Sequence, residues 1–416
     1  MISSLRPILV ALACCMFVAP ALAGPIIIDH RHTDITQLSS GQLARAKSVL
    51  HIAYGHTSHG SQLTEGMRDL VDFANGGGLG LAYPNNFFAW NNGGTGGALD
   101  LHDYAMGGDV GYYPDWVNNT IAYLDNPANA DVNVIIWSWC GQMDNEYVSG
   151  TLSNYYLLPM AALETTYPDV VFVYMTGHTP DVGQMSATLD NNTKAACQAI
   201  KDFCVANNKV LFDFNDIEHY NPDGTYFEFT TDNCDYYVTN SGSPAGNWAT
   251  EWQATHTENV DWFSCYAAHS EPLNGNLKAY AAWALWCAIA ADLDRDDIPD
   301  EWEERHGTTA MFGGGTNDCD EDGVTDTQEY IADTDPDDTG SVFRIAALSP
   351  TNSFGITFQS STGRLYSLSG CAVLESGSWS PVEGQTNVPG DISGMTTLTD
   401  TNDALSRAFR VGVSLR

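Results

Sequence analysis

The stretch Ser48-Val-Leu-His-Ile-Ala-Tyr-Gly-His-Thr-Ser-His-Gly60 joins an apolar, β-branched run to a turn rich in glycine, histidine and hydroxyl groups. Similar short apolar runs recur further along the chain, which predicts four buried strands at 48–54, 132–138, 170–176 and 209–214. Segments with helical spacing lie between and after them, at 62–74, 114–124, 153–165, 192–207 and 277–288. Because strands and helices alternate, the sequence predicts an α/β body whose mainly parallel sheet is covered on both faces.

Two long stretches of this body, 76–113 and 220–272, are rich in glycine, asparagine and aromatic residues. They carry no long periodic pattern. Loops of this length in a compact domain are usually functional or contain small strands. We therefore expect residues 76–113 and 220–272 to contribute to a site or to hold short strands.

Polar, chemically capable side chains follow all four predicted strands. These segments are 55–60, 139–142, 177–179 and 215–219. Ligands of parallel sheets bind at the carboxyl ends of the strands. The sequence therefore predicts that these four segments converge on one site.

Composition limits the possible partners. The chain has 416 residues, enough for two or three domains, and a formal net charge of −36. Residues 292–338 contribute 18 acidic side chains against two arginines. Such a surface repels nucleic acid and anionic lipid, so we expect a neutral substrate and no nucleic-acid partner. The oligomeric state stays open.

Residues 1–23 have the pattern of a secretory signal peptide, with Arg6, an apolar stretch over 8–18 and the cleavage-type sequence Ala21-Leu22-Ala23. Lipoprotein processing at Cys14 is the alternative. No later segment resembles a membrane span. We therefore expect a secreted protein, outside the cell, on its surface or in a periplasm. Export permits disulfides, and Cys234 with Cys265 is the favoured pair.

Two acidic loops follow the body, and each spaces acidic residues at positions 1, 3, 5, 9 and 12. This is the register in which alternating carboxylates meet on one Ca²⁺ ion and the final glutamate binds with both oxygens. The ligands predicted for the first loop are Asp292, Asp294, Asp296, Asp300 and Glu303, and those for the second are Asp318, Asp320, Asp322, Asp326 and Glu329. Gly323 occupies the sharp turn of the second loop, where the first has Asp297. An acidic solvated linker is the alternative, but two tandem matches favour structural calcium.

Two side chains of the body, Ser58 and His269, are placed next to predicted elements. Ser58 follows the first strand, where a strand-to-helix turn exposes the hydroxyl beside backbone N–H donors. Capping of the next helix is the alternative role for Ser58. His269 lies in Ala268-His269-Ser270, just before the last helix.

This order resembles the SGNH (GDSL-like) hydrolases, whose serine follows the first strand and whose histidine precedes the last helix. The resemblance covers about residues 48–290 and implies a flavodoxin-like three-layer α/β/α fold with Ser58 and His269 as catalytic residues. It implies an oxyanion pocket formed by the Ser58 N–H, a glycine of 93–97 such as Gly94, and a side chain after the second strand. The family uses asparagine for that side chain; this sequence offers Gln142 or Ser138.

The acid of a catalytic triad is less well defined by the resemblance. The family usually has an aspartate three residues before the histidine, but position 266 is tyrosine. Asp261, Asp213 or Asp216 could orient the imidazole instead. A Ser–His dyad without an acid is also compatible with the sequence.

The resemblance predicts a secreted esterase that removes acyl groups, such as acetyl, from a carbohydrate or glycoconjugate. Tryptophans favour a sugar-bearing substrate, because their rings stack on sugar C–H faces. These are Trp90, Trp116, Trp137, Trp139, Trp248, Trp252 and Trp262. Two other functions stay open: a non-catalytic glycan-binding or adhesion protein, and a hydrolase in which a His/Asp cluster binds a divalent metal.

Residues 341–416 alternate apolar and polar positions in short runs separated by turn residues, which predicts a small antiparallel β-sandwich. The module resembles those that follow thrombospondin-type-3-like calcium-binding repeats in large secreted bacterial proteins. Asp333-Thr334-Asp335-Pro336 matches the close of such a repeat. The predicted domains are thus 24–291, the connector 292–340 and the module 341–416. The module would bind glycan, attach the protein to a surface or act as a spacer.

Overall fold

The computed structural model describes residues 13–17, 24–307, 317–350, 354–371, 378–401 and 408–416. They fall into two compact units, Gly24–Leu293 and Asp294–Arg416, the second also taking in the N-terminal residues up to Ala23. The predicted signal peptide lies outside the described residues, apart from strand β1 (Ala13–Phe17). In the part of the chain that the structure describes, no helix is both long and apolar enough to cross a membrane.

The first unit is built on a seven-stranded sheet in which every neighbouring pair is parallel. Its strands are β2 (Ile26–Ile28), β3 (His51–Gly55), β4 (Trp90–Asn91), β5 (Leu99–Met106), β6 (Val134–Trp137), β7 (Val171–Met175) and β8 (Val210–Phe212). Their spatial order is β2-β8-β7-β6-β3-β5-β4. Strands β3, β6, β7 and β8 confirm the four predicted runs. The predicted α/β body with a parallel sheet is therefore confirmed.

Helices cover both faces of this sheet. They are α1 (Ser40–Val49), α2 (Ser61–Asn75), α3 (Asp115–Leu124), α4 (Met143–Val148), α5 (Leu158–Thr166), α6 (Ala187–Ala206), α7 (Phe214–Glu218), α8 (Trp248–Gln253) and α9 (Pro272–Ile289). Successive strand side chains point to opposite faces. Ile52 therefore joins the core formed with α1, α2 and α9, whereas Ala53 joins the core formed with α3, α5 and α6.

A small antiparallel sheet lies within residues 220–272 and consists of β9 (Phe229–Thr230), β10 (Asp235–Tyr237) and β11 (Gly246–Asn247). The predicted disulfide between Cys234 and Cys265 is not formed, since both are buried free thiols. The Cys234 Sγ lies 3.5 Å from Ser270 Oγ, and Cys265 Sγ donates to the Pro272 carbonyl at 3.4 Å. Each thiol thus has its own polar partner.

In its described residues, the second unit contains two short helices and two small sheets. Its elements are α10 (Asp300–His306), α11 (Asp326–Ala332), β12 (Ile345–Pro350), β13 (Phe354–Gln359), β14 (Arg364–Cys371), β15 (Ser380–Pro381), β16 (Val388–Pro389), β17 (Met395–Asp400) and β18 (Ala408–Leu415). One sheet is β12-β13-β17; the other is β1-β18-β14-β15, with β16 also paired to β14. All pairs except the parallel β1–β18 pair are antiparallel. Phe358 and Leu398 of one sheet share a core with Tyr366 and Val411 of the other.

Candidate active site

Ser58 and His269 meet at the carboxyl edge of the parallel sheet. Ser58 lies in the turn between β3 and α2, and His269 lies in the loop before α9. The Ser58 Oγ is 3.0 Å from His269 Nε2, within the hydrogen-bonding distance expected of a nucleophile and its base. The predicted proximity of these two side chains is therefore observed. In the tautomer with a bare Nε2, the hydroxyl donates to the imidazole.

The turn that carries Ser58 is closely packed. Tyr54 donates its hydroxyl to the Gly60 carbonyl at 3.0 Å, and Ser61 Oγ donates to the Ser58 carbonyl at 2.7 Å. A Cβ at Gly60 would lie 2.3 Å from Ser138 Oγ, so only glycine fits there. No described residue accepts a hydrogen bond from the Ser58 backbone N–H. Ser58 lies three residues before the first residue of α2, whose N-terminal dipole favours negative charge nearby.

The loop of His269 is held from both sides. His269 itself adopts a left-handed backbone with φ of 65°. Gln62 donates its side-chain amide to the Ala268 carbonyl at 2.5 Å, and Asn274 donates to Ser270 Oγ at 2.7 Å. These anchors lie on α2 and α9, so two helices fix the position of the base.

A buried ion pair lies beneath this loop. Lys278 Nζ donates to Gln62 Oε1 at 2.5 Å and to Glu218 Oε1 at 2.6 Å. Glu218 also accepts two hydrogen bonds from Thr179, through its N–H at 2.7 Å and its hydroxyl at 2.9 Å. Burial alone would raise the pKa of Glu218, but the charge of Lys278 holds that pKa below its usual value. The network links α2, α7, α9 and the loop after β7 behind the site. Sequence reasoning missed it, because a lysine in an apolar helix carries no motif.

Three imidazole rings stack beside Ser58. His59 lies between His178, with ring centroids 3.7 Å apart, and His269, at 4.3 Å. Burial, together with the neighbouring imidazole of His178, lowers the pKa of His59 to about 2. Burial and the charge of Glu218 raise the pKa of Asp232, whose Oδ2 lies 3.2 Å from His59 Nε2, to about 7. A neutral His59 can therefore support the flat face of His269 without adding charge.

Cys140 completes the immediate surroundings of the nucleophile. Its Sγ lies 3.5 Å from Ser58 Oγ and 3.5 Å from His59 Nδ1. Gly141 follows with a left-handed φ of 77°, and no described residue accepts a hydrogen bond from its N–H. The loop after β6 thus approaches Ser58 through the Cys140 thiol.

Gln142 does not face Ser58. Its Oε1 accepts from the Cys140 N–H at 3.2 Å, so it orders the 138–142 loop. Gly94 is also placed elsewhere, because Asp100 accepts from the Gly93 N–H at 2.6 Å and pairs with His51, the first residue of β3. Ser58 follows the other end of β3, roughly 13 Å along the strand. The resemblance-based oxyanion role of Gly94 does not match this position.

None of the predicted triad acids contacts His269. Asp261 accepts from the Thr257 N–H at 2.8 Å, Asp213 lies 2.5 Å from Lys201 Nζ, and Asp216 lies 2.5 Å from His30 Nδ1. Within the described ranges, no carboxylate hydrogen bonds to His269. The arrangement is therefore a Ser–His dyad whose imidazole plane is set by stacking.

The exposed aromatic groups near the dyad are tyrosines. The seven tryptophans singled out in the sequence are buried or half-buried, and Trp116, Trp137, Trp139 and Trp248 belong to the core. Tyr104 is 57% exposed and its ring lies 4.0 Å from that of buried His56, two residues before Ser58. Tyr266 is 65% exposed, three residues before His269. Tyr104 has a φ of 52°, a strained conformation that often marks functional residues.

A cavity of about 280 Å³ opens on the other side of the histidine stack. Its lining includes Gly141, Asp144, His178, Asp181 and Gln184. Burial raises the pKa of Asp144. The cavity joins the loop after β6 to the loop after β7, both at the carboxyl edge of the sheet. It can therefore receive a group of a bound substrate.

The second acidic loop, in the second unit, turns its carboxylates inward. Asp318 accepts from the N–H groups of Asp322 and Gly323, at 3.1 and 2.9 Å. One buried carboxylate oxygen each of Asp320, Asp322 and Glu329 has no hydrogen-bond partner. Burial and the surrounding acids raise the pKa of Glu329 to about 7. This set of oxygen donors fits Ca²⁺.

The first acidic loop brings together a similar set of carboxylate oxygens. Asp294, Asp300 and Glu303 each offer a carboxylate oxygen, all within 4.8 Å of one another. Asp296 Oδ1 accepts from the Ile298 N–H at 2.8 Å, as an aspartate does in a tight loop. Asp292 belongs to the end of the preceding unit. The donor types and their convergence again fit a hard divalent cation.

Comparisons with protein-family models, curated proteins and solved structures gave no significant match to this chain.

Proposed function

We propose that this protein is a secreted serine esterase that removes acyl groups, such as acetyl, from a carbohydrate or glycoconjugate. The observation that carries the proposal is the 3.0 Å contact between Ser58 Oγ and His269 Nε2 at the carboxyl edge of the sheet. In acyl transfer, His269 takes the hydroxyl proton as Ser58 attacks the ester carbonyl. The imidazolium then protonates the leaving sugar alcohol, and water releases the acyl group from Ser58 by the same path.

The oxyanion formed during this attack needs hydrogen-bond donors. The N–H groups of Ser58 and Gly141 are the donors that we assign, since neither has an acceptor among the described residues. Cys140 brings the loop of Gly141 against Ser58, at 3.5 Å between Sγ and Oγ. Gln142 supports this pocket indirectly, by holding the Cys140 N–H.

The dyad works without an aspartate in this proposal. Stacking on neutral His59 sets the plane of the His269 ring, and the anchored loop sets its distance from Ser58. An imidazolium formed during attack is partly exposed to water, which stabilises its charge. Ester cleavage suits such a site, because an alcohol leaves more readily than an amine.

The substrate class follows from charge and from the tyrosines. A protein with a net charge of −36 does not attract polyanions, whereas the exposed rings of Tyr104 and Tyr266 offer flat faces to neutral sugars. The serine after an early strand and the histidine before the last helix support an SGNH-type assignment. The calcium-binding connector and the β-sandwich module would act as a spacer or would attach this enzyme to a surface.

Activity and labelling test the proposal together. Purified protein is assayed on p-nitrophenyl acetate and on acetylated xylan, and a fluorophosphonate probe is mapped by mass spectrometry. We expect labelling at Ser58, and a loss of at least about 10³-fold in kcat for Ser58→Ala and for His269→Ala. Ser48→Ala, which removes an exposed hydroxyl on α1 that bonds only to the Arg45 carbonyl, is the matched control and keeps most of the activity.

Two results would overturn the esterase proposal. Turnover retained in Ser58→Ala would remove the serine mechanism. No turnover and no labelling in the wild type, together with retained binding of acetylated xylan, would select the non-catalytic glycan-binding function instead.

A further inference from the structure

A second group of chemically capable side chains lies on the far side of His59 from His269. It consists of His59, His178, Asp181 and Asp232, and the esterase mechanism uses only His59, as a stacking partner. Each residue offers one ligand atom, and these atoms all lie within 4.8 Å of one another. They come from the turns after β3 and β7 and from the loop before β10.

The distances match those between ligands of a common ion. His59 Nε2 is 3.2 Å from Asp232 Oδ2, and His178 Nε2 is 4.0 Å from Asp181 Oδ1. Ligands about 2.1 Å from one metal ion lie about 3 to 4 Å apart, depending on the coordination angle. The four atoms therefore need only small shifts to bind one ion.

His178 supplies an independent indication. The residue is only 8% exposed, and its Nδ1 lies 2.5 Å from the Thr179 carbonyl oxygen. That contact requires the proton on Nδ1, which leaves a lone pair on Nε2. The buried Nε2 has no hydrogen-bond partner among the described residues. A buried lone pair within 4.8 Å of a carboxylate oxygen each of Asp181 and Asp232, on a ring whose other nitrogen binds a carbonyl, is the arrangement that a metal-binding histidine has.

We propose that His59, His178, Asp181 and Asp232 bind one first-row divalent metal ion, with Zn²⁺ as the best fit. Two imidazoles and two carboxylates suit zinc, whereas calcium prefers oxygen ligands alone. The site is therefore chemically distinct from the acidic loops of the second unit. Because the rings of His59 and His178 are nearly parallel, at 4°, the His178 ring must rotate out of the stack for one ion to lie in both ring planes, while His59 keeps its stacking on His269.

The ion is reachable from the cavity described above. His178 and Asp181 belong to the lining of that cavity, as does Gly141, whose N–H we assign to the oxyanion pocket. A metal with an open coordination position would bind an oxygen of a group held there. Only the ring of His59 would separate the ion from His269. The ion would therefore place positive charge near the dyad, where an oxyanion forms.

Metal titration tests this site without any assay of turnover. Full-length protein without an affinity tag is stripped of metal, returned to excess Ca²⁺ so that the acidic loops are saturated, and titrated with Zn²⁺ by calorimetry. Co²⁺ is the spectroscopic probe, because nitrogen and oxygen ligands in low symmetry give visible absorption bands. We expect one Zn²⁺ ion per chain at high affinity, and Co²⁺ bands that Zn²⁺ abolishes.

Variants locate the ion. His178→Ala and Asp181→Asn should each weaken Zn²⁺ binding by more than roughly 100-fold, beyond the effect of losing an outer partner of a ligand. Asp181 is 43% exposed in its side chain, so Asp181→Asn keeps the fold even where His178→Ala does not. His256→Ala, which removes a histidine stacked on Trp252 outside the cluster, should bind like the wild type.

Either of two results would overturn the metal site. One is a wild-type protein that binds no Zn²⁺ once Ca²⁺ is in excess. The other is Zn²⁺ binding of wild-type affinity in both His178→Ala and Asp181→Asn. The metal-site proposal is tested by binding and the esterase proposal by turnover. Either proposal can therefore be wrong while the other is confirmed.

Discussion

Lys278 is central to the buried contacts behind the loop of His269. It lies fully buried in α9, and its ammonium joins Gln62, which holds the Ala268 carbonyl, to Glu218, which holds Thr179. The same ammonium lies 3.4 Å from the centroid of the Phe214 ring. A buried ion pair contributes little net stability, but removing one partner leaves an unpaired buried charge. We therefore regard Lys278 as a positioning residue.

Lys278→Met should destabilise the protein by about 3–5 kcal/mol, because Glu218 would stay buried without its counter-charge. Lys278→Met combined with Glu218→Gln should recover part of that loss. Urea unfolding of the wild type and the two variants measures both effects. A single variant as stable as the wild type would show that the pair is not what holds this region.

The tyrosines beside the dyad give a prediction about substrate size. Tyr104→Ala and Tyr266→Ala should each raise KM for acetylated xylan by about three- to tenfold, the loss expected for one aromatic contact. KM and kcat for p-nitrophenyl acetate should stay the same, since a small ester does not reach the tyrosines. Tyr226→Ala removes a ring 52% exposed beside Tyr220 and serves as the control. Equal effects on both substrates would exclude a sugar-binding role.

Local sequence was informative about residues whose function depends on their position in a turn. Ser58 and His269 could be paired because each follows or precedes a recognisable element. Gln62, Glu218 and Lys278 could not be found, since their role depends on contacts between residues 60 or more positions apart. Gln142 and Gly94 were placed by analogy alone, and their actual contacts depend on backbone turns that no spacing rule predicts.

At the scale of elements, apolar β-branched runs predicted β3, β6, β7 and β8 because these strands are buried on both faces. Strand β5 was missed, since Leu99-Asp-Leu-His-Asp-Tyr-Ala-Met106 alternates apolar and polar residues inside a stretch rich in glycine. It has only the two-residue strand β4 beside its outer edge, so polar side chains are tolerated there. Helix α9 was predicted from helical spacing over 277–288, and the structure shows it buried nearly all round, with Lys278 satisfied inside.

The second acidic loop and α11 form the element with the clearest metal prediction. Glu329→Gln and Asp322→Asn should each abolish one calcium-binding event in calorimetry, because each removes a carboxylate oxygen that is buried without a partner. Glu321→Gln changes an exposed acid at a non-ligand position of the same loop and should bind calcium normally. Equal binding in all three variants would mean that the loop is only an acidic linker.

At the scale of the whole molecule, the chain forms two compact units with separate cores. The first unit contains the dyad, the histidine stack and the cavity, whereas the second contains the core shared by its two small sheets and α11. Most of the acidic excess that the sequence shows in 292–338 falls in the second unit. The acidic excess is therefore concentrated, in sequence, outside the unit that contains the dyad, and under the proposed function the first unit itself would select the substrate.

Because the two units have separate cores, we expect two thermal transitions in calorimetry of the full-length protein. Ligands that bind only the folded form of one unit should raise the transition of that unit alone. Calcium should therefore raise one transition, and Glu329→Gln, whose loop lies wholly within the second unit, should lower the same transition in the presence of calcium. Ser58→Ala should leave the calcium-sensitive transition unchanged. A single transition that moves with both calcium and substitutions in the first unit would show that the two cores unfold together. Calcium binding to the acidic connector would then contribute to the stability of the unit that contains the dyad.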